Sequence, residues 1–150
     1  MARSDPYAGF RFVVLVDQIQ KGGFTKVRGL QRETRVETFR EGGVNDHEHK
    51  LVTLTSYSNL VLERGLAVPY LWIWHELVVQ GKVKRALLTV TLRDENQKDV
   101  WSWLVLNAYP VKWSVADFDA ASGQVATEMV EFAHHGLLLR PTLAGIGGAA

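Results

Sequence analysis

One predicted β-strand carries apolar side chains on both of its faces. Trp101 and Trp103 occupy one face, and Leu104 and Leu106 occupy the other. In a solitary small barrel, an antiparallel strand normally has one face in the core and one in water. A second strand with apolar residues on both sides is predicted over residues 124–134. Either copies of the chain cover the second face, which we favour because symmetric association is common, or the chain is a well-filled sandwich with a few exposed aromatics.

The remaining pattern predicts a mainly β chain with one helix. Runs rich in β-branched and aromatic residues indicate strands or extended segments, which are predicted at 10–16, 24–40, 51–64, 86–93, 100–108 and 124–134. Residues 21–23 supply turn chemistry, Gly29 is the expected bend, and Pro110 should interrupt pairing at a corner or an edge. The helix is predicted between Pro69 and Gly81. The fold class is therefore an antiparallel β-barrel or sandwich with one flanking α-helix.

The length and charge of the chain limit its class. Its 150 residues suit a single domain over residues 1–150, with 138–150 as a loosely held C-terminal tail. A net charge of +1 with scattered basic residues argues against a dedicated nucleic-acid-binding protein, which usually has a clustered basic face. The absence of cysteine excludes disulfide scaffolds and thiolate zinc sites. With no secretory signal and no apolar run of about 20 residues, we expect synthesis in the cytoplasm and no membrane insertion.

The segment NDHEHK is the best candidate for a metal site. In an extended chain His47 and His49 point the same way and could share a cation, but no spacing supplies a third ligand. The favoured alternative is a loop that turns at Gly42 and Gly43. No Gly-x-Ser-x-Gly motif is present to mark a nucleophile. We therefore predict no catalytic residue, no metal and no cofactor, and hence no enzyme.

The segment around residues 31–37 is too polar for a core. Gln31, Glu33, Arg35 and Glu37 alternate with their neighbours and share one face, which is expected to meet water. In the next extended segment, Val52 and Leu54 have the same parity and are expected to share a face with each other.

Several stretches follow one another in a familiar order and spacing. They are DPYAGFRFVVLVD, GGFTKVRGL, REGGVNDHEHKL, LVLERGL, a tryptophan-rich helix ending in VQGKV, NAYPVKWSVADFDA and VATEMVEFAHHGL. In this arrangement the chain resembles the phage tail tube family, which includes the inner tube subunits of contractile tails and of related bacterial injection systems. The resemblance extends from residue 5 to about residue 137, nearly the whole chain.

The resemblance implies a β-barrel with one flanking helix, assembled as a homo-hexamer whose rings stack into a tube or cap its end. Implied partners are the sheath and the baseplate or spike proteins of the same particle, with cargo in the lumen and no recognition of a nucleic-acid sequence. The long loop is implied to contact adjacent subunits through Gly42, Gly43, Val44, Asn45, Asp46 and His47. The implied lumen-facing residues are Gln31, Glu33, Arg35 and Glu37.

One departure from the family bears on the role of the chain. Members often carry Pro-Gly after the Lys-Leu pair, whereas Leu51 is followed here by Val-Thr-Leu-Thr. The repeating tube subunit is slightly favoured over the initiator ring that joins the tube to the baseplate. Two other classes remain open, a ring-shaped cargo carrier or adapter and a metal-dependent enzyme built on His47 and His49. In the favoured class the chain is part of an assembled phage tail or injection particle, a kind of particle that can be released from the cell.

Overall fold

The computed structural model describes residues 12–17, 19–40, 48–65, 69–116, 121 and 126–140. These residues form ten β-strands and one α-helix. The strands are β1 Phe12–Val16, β2 Ile19–Phe24, β3 Lys26–Arg28, β4 Arg32–Arg40, β5 Glu48–Tyr57, β6 Leu60–Gly65, β7 Ala86–Arg93, β8 Asp99–Val115, β9 Thr127–Ala133 and β10 Leu137–Arg140, and the helix is α1 Tyr70–Val79. All strand pairs are antiparallel, so the predicted class of a mainly β chain with one helix is confirmed.

Eight of the strands form a sheet that closes into a barrel. Their order is β2-β1-β7-β8-β9-β6-β3, and β10 pairs with β8 beside this path. Only Thr25 separates β2 from β3, and its backbone N–H donates to the Glu63 carbonyl of β6 at 2.9 Å. The two ends of the sheet therefore meet, and closure leaves few edges open to pairing with other chains.

The helix packs on the barrel through one face. Leu71 and Trp74 are buried in the core, and the Trp74 ring lies 5.4 Å from the Phe132 ring. The Trp74 Nε1–H donates to the Lys84 carbonyl at 2.8 Å, which satisfies the polar atom of this buried side chain. Gly81 follows the last turn with φ +83°, as predicted, because glycine adopts this conformation without steric cost.

A buried ion pair crosses the interior of the barrel. Arg64 Nε donates to Glu128 Oε1 at 2.8 Å, and Trp113 Nε1 donates to Glu128 Oε2 at 2.7 Å. The guanidinium of Arg64 also lies 5.1 Å from the centroid of the Phe24 ring. Both carboxylate oxygens of Glu128 are thus satisfied, which a charge that is almost fully buried requires. The cluster joins β2, β6, β8 and β9.

Residues 21–23 were predicted as a turn but lie within β2, where Gly22 and Gly23 pair with β1. A Cβ on Gly22 would lie 2.8 Å from the Arg64 guanidinium, so the glycine provides room for the buried ion pair. The predicted strand end at Ala108 is wrong, because β8 runs on to Val115. Pairing with β7 nevertheless ends at Ala108, so Pro110 lies where β8 has lost one neighbour, as expected for an edge. A register shift after Pro110 accommodates the missing N–H.

The C-terminal strand extends into the segment predicted as a tail. Residues 138–140 belong to β10, which pairs with β8 from Leu137 opposite Val105 to Arg140 opposite Ser102. The first three residues of the predicted tail are therefore part of a paired strand, and residues 141–150 lie outside the described residues. Pairing explains the difference, because β8 is long enough to offer hydrogen bonds beyond the end of β9.

Candidate assembly surface

Two strands leave the barrel and pair only with each other among the described strands. β4 and β5 form a separate two-stranded sheet, which we call the arm. β4 has nine residues and therefore extends about 30 Å. An isolated two-stranded sheet is marginal in water, and its outer edges present unpaired backbone groups. The arm therefore has the properties of a segment that is completed by another chain.

A β-bulge decides which side chains share a face of the arm. Thr34 is opposite Thr55, but Val36 is opposite Val52, so β5 has one residue more than β4 between these pairs. Thr53 Oγ1 donates to the Arg35 carbonyl at 3.1 Å at this point. Because of the extra residue, Val52 and Leu54 lie on opposite faces, and the prediction that they share a face is wrong.

The two faces of the arm follow from this register. We call one the core-side face, and it consists of Arg32, Thr34, Val36, Thr38, Lys50, Val52, Thr55 and Tyr57. We call the other the outer face, and it consists of Glu33, Arg35, Glu37, Phe39, Leu51, Thr53, Leu54 and Ser56. The core-side face is continuous with the barrel interior, since Tyr57 packs against the buried core and Arg32 lines a groove with Trp101 and Trp103.

Large apolar side chains of the arm are open to solvent in the single chain. On the core-side face Val52 is 75% exposed and Val36 is 47% exposed. On the outer face Leu54 is 61% exposed, and Phe39 and Leu51 are about half exposed. Near the root of the arm, Trp101 and Leu139 of the adjoining groove are about half exposed as well. The predicted surplus of uncovered apolar surface is therefore found at Trp101 and, where it was not predicted, on the arm, whereas β9 has no exposed residue and the prediction for that strand is wrong.

The arm joins the barrel at a tightly packed root. Gly29 has φ +87°, and a Cβ at this position would lie 1.9 Å from the Asn59 carbonyl oxygen. Only glycine fits there, and the chain bends at Gly29 as predicted. The Ser58 N–H donates to the Gln31 carbonyl at 3.3 Å, which ties the two chain segments of the root together. The arm therefore leaves the barrel in a defined direction.

The predicted lumen-facing residues are all exposed. Glu33, Arg35 and Glu37 lie on the outer face of β4, and Gln31 lies just before the strand. The predicted subunit-interface residues Gly42, Gly43, Val44, Asn45, Asp46 and His47 lie outside the described residues. Sequence reasoning did not identify the groove beside Trp101 and Trp103, although the two tryptophans with a shared parity were a signal for it.

A second apolar surface lies on the helix. Val16, Ile73 and Leu77 line a groove between α1 and the barrel. Burial raises the pKa of the Tyr70 hydroxyl at the edge of this groove, and the negative charge of Asp17 raises it further. Among the described residues, no group of three or more histidine or acidic side chains is placed to hold a metal. Within the described ranges, the helix α1 is too short to cross a membrane, and no other helix is long and apolar enough to do so.

The comparisons with known proteins agree with this geometry. The sequence profile of the T4-like virus tail tube protein gp19 family matches residues 8–138. The chain belongs to this family. No curated protein matches the chain.

Solved structures of contractile injection systems contain similar chains. A chain of the anti-feeding prophage baseplate, determined by cryo-EM with 6-fold symmetrisation, is 29% identical with a TM-score of 0.73, and the match covers 92% of this chain and 97% of that one. A chain of the PVC sheath–tube complex in the extended state is 22% identical with a TM-score of 0.76, covering 89% and 90%. A chain of the anti-feeding prophage tube terminating cap is also 22% identical with a TM-score of 0.76, covering 95% of each chain.

Proposed function

We propose that the chain is a structural, non-enzymatic subunit of the inner tube of a contractile phage tail or injection particle, and that it assembles as a hexameric ring. The observation that carries this proposal is the arm, a two-stranded sheet with unpaired edges whose core-side face leaves Val36 and Val52 exposed in the single chain. Membership of the tail tube family and the sixfold symmetry of the similar baseplate structure support it.

In the proposed ring each arm lies against the next subunit. The core-side face is the covered one, because it continues the surface that packs on the barrel core at Tyr57. Head-to-tail contacts of this kind close into a ring when the rotation between neighbouring subunits divides a full turn into equal parts. Strand pairing along the edges of β4 and β5 then satisfies the backbone groups that the single chain leaves open.

The outer face lines the lumen in this arrangement. Glu33, Arg35 and Glu37 place acidic and basic groups close together on it. Charges of opposite sign largely cancel at a distance, so such a wall does not hold a passing cargo strongly. The lumen then acts as a conduit and not as a binding site.

The proposal extends to the partners of the ring. The loop residues Gly42, Gly43, Val44, Asn45, Asp46 and His47 contact adjacent subunits, and rings stack along the tube axis. Sheath proteins surround the tube, and baseplate or spike proteins meet its end. The chain is made in the cytoplasm and functions in the assembled particle. Its similarity of fold to a chain of the PVC sheath–tube complex supports the role in a particle.

A second role is the initiator ring at the baseplate. It is favoured by one observation, the 29% identity to a chain of a baseplate structure against 22% for chains of the sheath–tube complex and the tube cap. An initiator shares the fold but offers only one end for further stacking. A ring-shaped cargo carrier has no specific observation in its favour.

Electron microscopy of the purified chain tests these roles. A repeating subunit gives hollow rings with sixfold symmetry that stack into tubes of indefinite length as the concentration rises. An initiator gives single or paired rings that do not grow. Monomers alone at high concentration would contradict both roles, and rings that co-purify with one specific protein would favour the carrier.

A further inference from the structure

His134 lies between β9 and β10 and uses both of its ring nitrogens. Nε2 lies 2.8 Å from the Ser58 carbonyl oxygen, and Nδ1 accepts the Gly136 N–H at 3.1 Å. A carbonyl oxygen can only accept and a backbone N–H can only donate, so Nε2 carries the proton and Nδ1 carries none. The geometry therefore requires the neutral imidazole in the Nε2–H tautomer.

The first of these contacts reaches the root of the arm. Ser58 lies between β5 and β6, where the returning strand of the arm enters the barrel, and its N–H bonds to Gln31 on the outgoing side. The Tyr57 ring meets the His134 ring edge to face, with centroids 5.8 Å apart. His134 thus fixes Tyr57 and Ser58, the residues from which the arm projects.

We propose that His134 is a positioning residue for the arm and makes ring assembly sensitive to mildly acidic pH. This inference rests on the proposed function. Histidine takes up a proton in the range between about pH 5 and pH 8. A proton on Nδ1 then faces the Gly136 N–H, so that two donors oppose each other and the bond is lost. To relieve the repulsion between the two donors the ring has to turn, which draws Nε2–H away from the Ser58 carbonyl, so the arm is no longer held in the direction that assembly needs.

The surrounding groups do not replace the lost bond. The titratable or charged residues with a described side chain on the elements around His134 are Lys50 and Tyr57 on β5, Glu63 and Arg64 on β6, Asp99, Tyr109 and Lys112 on β8, Glu128 and Glu131 on β9, His135 beside it and Arg140 on β10. Glu131 is the acid nearest to His134 in sequence, and its Oε2 accepts the Asn59 Nδ2–H at 3.1 Å. Its carboxylate is therefore directed toward Asn59 at the other side of the root.

The tautomer is tested on the unassembled chain by NMR with ¹⁵N-labelled histidine. We expect one protonated and one unprotonated ring nitrogen for His134 at neutral pH, with the proton on Nε2. The amide signals of Gln31, Ser58 and Gly136 should shift together with the His134 ring as the pH falls. A proton on Nδ1 at neutral pH, or amide signals that do not follow the ring, would overturn the inference whether or not rings form.

Assembly is tested by sedimentation velocity at pH 7.5 and pH 5.5 over a concentration series. Losing one net hydrogen bond corresponds to about a tenfold rise in the concentration needed for assembly. His134→Gln can still donate to Ser58 but does not titrate, so its threshold should change by less than about twofold. His135→Gln is the matched control and should retain the wild-type response. A flat wild-type profile, or a His134→Gln variant with the wild-type response, would refute the pH sensitivity and leave the tube role intact.

Discussion

The core-side face of the arm offers the sharpest prediction about assembly. Val36 and Val52 are direct cross-strand partners there, 47% and 75% exposed in the single chain. Replacing both with threonine keeps the β-branched shape but removes a methyl group and adds a hydroxyl at each site. The lost methyl contributes about 0.8 kcal/mol and an unpaired buried hydroxyl costs about 1 kcal/mol or more. When the sum of these two terms is weighted by the exposed fraction of each site, the double substitution weakens each subunit contact by about 2–3 kcal/mol.

This loss corresponds to roughly 30-fold to 150-fold in the affinity between subunits. Sedimentation velocity over a concentration series should show the threshold for ring formation rising by about this factor. Thermal unfolding of the dilute, unassembled variant should match that of the wild type, because both sites are exposed before assembly. Val79→Thr on α1 is the control, since Val79 is 68% exposed and lies away from the arm. An unchanged threshold in the double variant, or an equal shift in the control, would refute the reasoning.

Three further substitutions test the body of the chain. Gly29→Ala should lower the free energy of unfolding, measured by chemical denaturation, by more than about 2 kcal/mol, because the added Cβ would clash with the backbone of Asn59. Gly81→Ala is the control, since Gly81 has a similar φ but open space around it, and the same free energy should fall by only about 1 kcal/mol. Arg64→Met should lower the free energy of unfolding by about 3–5 kcal/mol because Glu128 is left buried without its cationic partner, and adding Glu128→Gln should recover part of this loss. Since burial raises the pKa of Tyr70 above 10.0, the folded state favours its protonated form and stability falls as the pH rises above that value. Tyr70→Phe should therefore reduce the loss of stability as the pH rises above 10.0, and an unchanged profile would contradict the assignment.

Alternation and glycine chemistry predict the elements that pack in regular layers. β7 and the helix up to Gly81 were predicted correctly, because a half-buried strand and a packed helix leave clear periods in the sequence. The bend at Gly29 was predicted from the properties of glycine, since only glycine tolerates the conformation found there. Apolar residues on both faces of a strand predicted association between copies, whereas the hexameric ring came only from the family resemblance.

The features that were missed depend on contacts between distant segments. The bulge in β5 falls in a run of threonine, serine and leucine in which the apolar contrast is weak, so its register is fixed only by pairing with β4. The buried ion pair joins residues 64 positions apart. A signal for it existed, because Glu128 shares the parity of Val130 and Phe132 on a strand whose apolar side is buried.

Thiol labelling at the two faces of the arm tests the central claim most directly. The chain has no cysteine, so single variants Val52→Cys on the core-side face and Leu54→Cys on the outer face give a clean signal. Both sites are exposed in the single chain and should react rapidly there. In assembled rings we predict that the thiol at position 52 is protected by the neighbouring copy while the thiol at position 54 still reacts from the lumen. Equal reactivity of the thiol at position 52 in rings and in single chains would contradict coverage of the arm by sister copies, and protection at position 54 alone would place the lumen on the opposite face.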